Sequence, residues 1–164
     1  MKILHTADWH LGTFRSPVKD GVNLRTEDTK RCLDELIRVA NEEKPDYSLV
    51  SGDIFHVGRL WSDRCCEEII TAIHYIRELA AVSKQVVVMR GTPNHDGSGQ
   101  FNVLSEMFAD VPNVHVVITP QVIHLMMLIL RCSRDLTGEC SELIIRDYQV
   151  MKKMWCLPMN YQIL

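Results

Sequence analysis

Apolar and polar stretches follow one another in a regular order as far as Ile118. The run Lys2-Ile3-Leu4-His5-Thr6 stops at Ala7-Asp8-Trp9-His10-Leu11-Gly12, which predicts a short strand feeding a polar loop. Between Thr26 and Lys44, Leu33, Leu36, Ile37 and Ala40 recur at helical spacing, and Pro45 ends the pattern. Tyr47 to Val50 predicts a second strand, running directly into Ser51-Gly52-Asp53. A second helix is expected from about Ser62, with Ile69, Ile70, Ile73, Ile76 and Leu79 along one side. Gln85 to Met89 is unbroken in its apolar character, as in a strand covered on both faces, and ends at Gly91-Thr92-Pro93-Asn94-His95-Asp96. A short helix from about Gly99 to Ala109 would bury Phe101, Leu104 and Phe108, and Val114 to Ile118 supplies a fourth strand.

The order β-α-β-α-β-α-β predicts an α/β fold with a mainly parallel sheet and right-handed crossovers, whose sites form at the carboxyl ends of the strands. All three polar clusters fall at such ends. A chain of 164 residues is long enough for one domain of this kind.

Composition changes this picture little. Apolar and charged fractions of 46% and 24% favour neither a disordered nor a membrane class. With 18 Lys and Arg against 21 Asp and Glu, the net charge of -3 gives no global attraction to nucleic-acid phosphates, so DNA binding would have to be local, metal-assisted or supplied by a partner. The apolar start is too brief for a signal peptide or a membrane span, and a cytoplasmic location without membrane association is expected. Six cysteines contain no CxxC pair and read as reduced thiols.

Asp-x-His, Gly-Asp and Asn-His-Asp, delivered to one rim by successive strands, form a set of oxygen and imidazole donors suited to divalent Mn, Fe or Zn. Phosphate ester hydrolysis needs phosphoryl charge neutralised and a hydroxide available near neutral pH. Two metals about 3.5–4 Å apart supply both when a carboxylate bridges them. Asp53, in the middle cluster, is the candidate bridge; Asp8 and His10 would hold one metal and Asn94 the other. His95 would donate a proton to the leaving oxygen, and Asp96 would fix its tautomer from behind. His56 reads as a loop residue, and His5, His74 and His115 as core or surface histidines. Trp9 reads as a prop for the Asp8 loop or as a base-stacking ring.

Asp8-Trp9-His10-Leu11-Gly12 after Met-Lys-Ile-Leu-His, then Gly52-Asp53-Ile54-Phe55, then Asn94-His95-Asp96, resembles the opening of the SbcD-type DNA repair exonucleases of the calcineurin-like metallophosphoesterase superfamily. The resemblance covers about Met1 to Ile123. It implies a metallophosphoesterase-type two-sheet sandwich, of which the pattern above is one half. It also implies a manganese-dependent exonuclease and endonuclease acting on DNA with an SbcC-type, SMC-like ATPase, and a homodimer. The family's metal ligands carry over to Asp8, His10, Asp53 and Asn94, and its catalytic histidine to His95. Other members of the superfamily act on nucleotides or phosphoproteins, and these are the alternative substrates.

Three departures stand out. The family writes Gly-Asn-His-Asp where this chain inserts Thr92-Pro93 after Gly91, and His56 stands where an acidic residue often follows. The family also completes its site with a later histidine and a Gly-His-x-His motif, while this sequence has no histidine after His124. Residues 1–124 are therefore read as the N-terminal part of a nuclease domain and 125–164 as an aberrant tail. Synonymous codons can be chosen from Leu125 onward so that a +2 shift gives a run with a strand and polar loops, which suggests a frame shift. On that reading the chain descends from the nuclease but is an inactive fragment.

Overall fold

A computed structural model describes residues 1–58 and 63–125, and the strand segments 128–134, 140–145, 155–157 and 161–163 by their backbone. Strands β1 (Ile3–Thr6), β4 (Tyr47–Ser51), β5 (Gln85–Met89) and β6 (Val114–Val117) form the parallel core expected from the sequence. Helices α1 (Leu24–Glu43), α2 (Asp63–Val82) and α3 (Ser98–Met107) connect them. A hairpin, β2 (Val18–Lys19) and β3 (Val22–Asn23), precedes α1 and was not visible in the pattern, because two-residue strands carry no periodicity. Its turn, Asp20-Gly21, has positive φ at both residues, as two-residue hairpin loops require.

Alternation along the parallel strands sorts side chains to two faces. Leu4, Val50, Val86, Val88 and Val114 meet the helices, together with Leu33, Leu36 and Ala40 of α1, Ile76 and Leu79 of α2 and Phe101 and Leu104 of α3. Each large side chain buried there contributes about 1.5–3 kcal/mol. Ile70, expected on the buried side of α2, is instead exposed, and the stripe runs through Ile69, Ala72 and Ile76. On the other face lie Ile3, Leu49, Val87, Met89 and Val117, covered by Leu125 and Ile123 of β7 (Gln121–Leu125).

Strand β7 pairs antiparallel with β8 (Leu128–Arg134), and β8 with β9 (Cys140–Ile145), so a second sheet begins where the alternating pattern stops. The apolar run Val122–Leu130 thus belongs to two strands. On the other side of β1, β11 (Tyr161–Ile163) pairs antiparallel with it and β10 (Trp155–Leu157) pairs with β11. The frame-shift reading of the tail rests largely on residues outside those described.

Helix α1 starts two residues before its expected first residue because Asn23 caps it, its Oδ1 accepting the amides of Arg25 and Thr26 at 3.1 and 3.2 Å. Such a cap is worth about 1 kcal/mol. At the far end Lys44 takes a left-handed conformation and returns its N–H to Ala40, one residue before Pro45. No helix of the described residues is long and apolar enough to cross a membrane.

Candidate metal centre

Strands β1, β4 and β5 end side by side, so their outgoing loops are neighbours by construction. Backbone bonds then zip the first loop to the second: Asp8 N–H to Gly52 at 3.1 Å, His10 N–H to Asp53 at 2.9 Å, Leu11 N–H to Ile54 at 2.7 Å, and His56 N–H back to Leu11 at 2.8 Å. The second loop meets the third through two glycines. A Cβ on Gly52 would stand 2.6 Å from Gly91 Cα, and one on Gly91 would collide with the amide and carboxylate of Asp53. Only residues without side chains allow this approach.

Asp8, His10 and Asp53 all take positive φ, 56°, 47° and 48°. Such conformations are uncommon for residues other than glycine and concentrate at functional sites. The strained turns bring ligand atoms of Asp8, His10 and Asp53 within 4.8 Å of one another, and those of His10, His56 and His95 likewise. His10 Nε2 lies 3.8 Å from Asp8 Oδ1, while its Nδ1 is buried without a hydrogen-bond partner. The imidazoles of His10 and His95 cross edge to face with centroids 4.6 Å apart. Oxygen and imidazole donors clustered in this way fit a divalent cation.

Thr92 contributes what the sequence could not show. Its amide and hydroxyl both donate to Asp53 Oδ1, at 2.8 and 3.0 Å, so one carboxylate oxygen is fixed by the third loop. Its carbonyl accepts the amides of His95 and Asp96 and so closes the turn that presents His95. The Thr92-Pro93 insertion is therefore part of the site. Asn94 is exposed on this turn and its backbone carbonyl accepts Gly58 N–H at 2.9 Å.

His95 Nδ1 lies 2.7 Å from the carbonyl of His56. A carbonyl only accepts, so Nδ1 carries the proton and Nε2 is left for other chemistry. Adjacency in the sequence gave this orienting contact to Asp96, and the structure assigns it elsewhere. Asp96 is turned inward and fully buried, its carboxylate accepting the amides of Phe55 at 3.0 Å and Gly91 at 2.7 Å. It ties the second loop to the third. Burial pushes its pKa up to about 6, with backbone amides opposing the rise and the charge of Asp53 adding to it.

His56 also departs from its expected place as a plain loop residue. Its ring sits beside His10 and His95, and burial, followed by the charges of His10, His95 and Arg25, lowers its pKa. Its place three residues after Asp53 was the available signal. Trp9, by contrast, is 4% exposed, with its indole N–H bonded to Thr6 Oγ1 at 2.8 Å, and serves as the loop's prop. His5 bonds Ser51 Oγ at 2.8 Å and His115 bonds Gln85 Oε1 at 2.6 Å, both away from the donor set.

Residues 1–127 match the family model of calcineurin-like phosphoesterases, and the chain belongs to that family. It is similar to the SbcD subunit of the nuclease SbcCD of Staphylococcus epidermidis, at 30% identity over 108 residues, and to that of Staphylococcus saprophyticus, at 31% over 108 residues. Each alignment covers 66% of this chain and 26% of the relative, so the chain spans about a quarter of the length of the curated relatives it matches.

Proposed function

We propose that the chain is a divalent-metal phosphodiesterase of SbcD type that cleaves DNA strands in double-strand-break repair. The observation that carries this reading is the convergence of Asp8, His10 and Asp53 on one rim with the His95 imidazole against them. Asp8, His10 and Asp53 would hold one ion and Asp53 would reach a second, for which Asn94 and His56 are the further donors. Manganese is the ion assigned. Bound metal supplies neutralisation of the phosphoryl oxygens and activation of water near neutral pH.

The chain's own residues supply orientation and a proton. With Nδ1 fixed on the His56 carbonyl, His95 offers Nε2 to the leaving oxygen as general acid. Asp96 is a positioning residue that holds the loop from which His95 projects. The relatives are named as one half of a two-component nuclease, SbcCD, which supports an SbcC-type ATPase partner and a cytoplasmic location. Exposed Ile70, Val103 and Met107 on α2 and α3 support pairing with a second copy. We assign the nuclease-related region to residues 1–124 and keep 125–164 as an aberrant tail.

End-labelled duplex DNA incubated with Mn²⁺, beside a His95→Ala control and a count of bound metal, tests the reading. Cleavage lost in the control is the expected result. No cleavage with fewer than two ions bound overturns it and leaves a metal-site relative without turnover, the outcome favoured by the lack of histidines after His124.

A further inference from the structure

Beside the donor set lies an open cleft of ≈ 570 Å³ whose walls include Asp8, His10, Phe14, Arg25, Asp28 and Thr29. That volume lies within the range of about 300–1,000 Å³ that receives a small organic ligand, enough for a nucleotide of one strand but not a duplex. Its acidic lining would repel a strand were it not for Arg25. The guanidinium of Arg25 rests 4.3 Å above the centre of the Phe14 ring, and Phe14 in turn lies 4.2 Å from the ring of His56. The nearby Asp28 is taken by Arg31 at 3.2 Å.

The pair is held rigidly by one side chain. Asn23 Nδ2 donates to the Phe14 carbonyl at 2.7 Å while its Oδ1 accepts the Arg25 amide at 3.1 Å, and Thr26 Oγ1 donates to the Gly12 carbonyl at 3.1 Å. The loop that leaves the metal ligands is thus pinned to the start of α1. A planar cation stacked on an aromatic ring loses little freedom when it meets a phosphate, so binding there is pre-organised.

We propose that Arg25, seated on Phe14, is a positioning residue for a nucleic-acid strand: with one phosphodiester on the metal centre, its guanidinium takes a neighbouring phosphate of the same strand. The proposal rests on the phosphodiesterase reading above for the identity of the strand. It gives the cleft a substrate class, polymeric and single-stranded at the point of contact.

The test is fluorescence anisotropy of a labelled single-stranded DNA oligonucleotide with the full chain and Mn²⁺ over a salt series, in a His95→Ala background so that the strand survives. Arg25→Gln should weaken binding at least about tenfold, the size of one charge-assisted contact. It should also lower the slope of log K against log salt by about 0.7, one phosphate contact on a single strand. Arg25→Lys should keep the slope and lose part of the affinity, and Phe14→Leu should weaken binding without changing the slope. Arg38→Gln, on the outer face of α1, should match its parent. An unchanged slope in Arg25→Gln, an equal loss in Arg38→Gln, or no binding by the parent overturns the proposal. If binding depends on Arg25 but the wild type never cleaves, the proposal stands and the nuclease reading falls.

Discussion

The two ends of the parallel sheet both gather charge, and they treat it in opposite ways. At the amino end, Asp46 meets the Lys84 ammonium at 2.6 Å, the backbone amide of Lys2 at 2.7 Å and the amino terminus at 3.8 Å. These groups lower its pKa, the Lys84 hydrogen bond most, while its burial opposes them. At the carboxyl end, Asp53 is met by the amide and hydroxyl of Thr92 and stands beside histidines, in a conformation its backbone resists. An acid matched by a fixed cation completes the fold. One held by neutral donors and aimed at imidazoles is prepared for a cation that the chain does not supply.

The comparison is broken most sharply at Asp53. Asp53→Asn should weaken Mn²⁺ binding, measured by titration calorimetry, by more than about 100-fold, beyond the 10–100-fold typical of an outer partner. Equal affinity would remove Asp53 from the centre. His56→Ala should cost roughly 10–100-fold in metal affinity or turnover, as an outer partner would, while leaving the carbonyl that orients His95 in place. Gly91→Ala forces the second and third loops apart, and urea denaturation should register a loss of about 1–3 kcal/mol, the usual cost of overpacking.

Glu68 sharpens the comparison between buried and exposed acids. Half-buried behind the first loop and accepting the amide of Thr13, it is pushed up to about 7, chiefly by burial and slightly by Glu67. The folded state then holds this proton where the unfolded chain, near 4.5, has released it. Stability should accordingly fall as pH rises through that window, and Glu68→Gln should flatten the fall in denaturation curves taken at about pH 5 and about pH 8. The smallest effect belongs to Lys84→Ala, which should leave metal binding unchanged and shift the unfolding midpoint only slightly, since exposed ion pairs contribute little.

The parallel core and its rim were legible because apolar runs and polar breaks map directly onto strand ends, and Asp8, His10, Asp53 and His95 follow from that mapping. What the chain's pattern hid depends on contacts between loops. The role of Thr92 comes from a backbone approach made across 39 residues, and the tautomer of His95 from a carbonyl, which no side-chain identity encodes. Asp96 read as a catalytic partner from adjacency, yet the turn closed by Thr92 sends it inward. The hairpin before α1 and the division of Val122–Leu130 between two strands escaped because neither leaves a period long enough to recognise.

The left-handed turns at Asp8, His10 and Asp53 set foldability against chemistry at the same three positions. Residues held in such regions cost of order 1–3 kcal/mol each. A sequence optimiser rewarded only for stability would place glycine at all three and produce a firmer protein with its donor set erased. The positions where such a procedure most wants to improve the chain therefore trace its active rim, and disagreement between the best-folding residue and the resident one becomes a way of finding it.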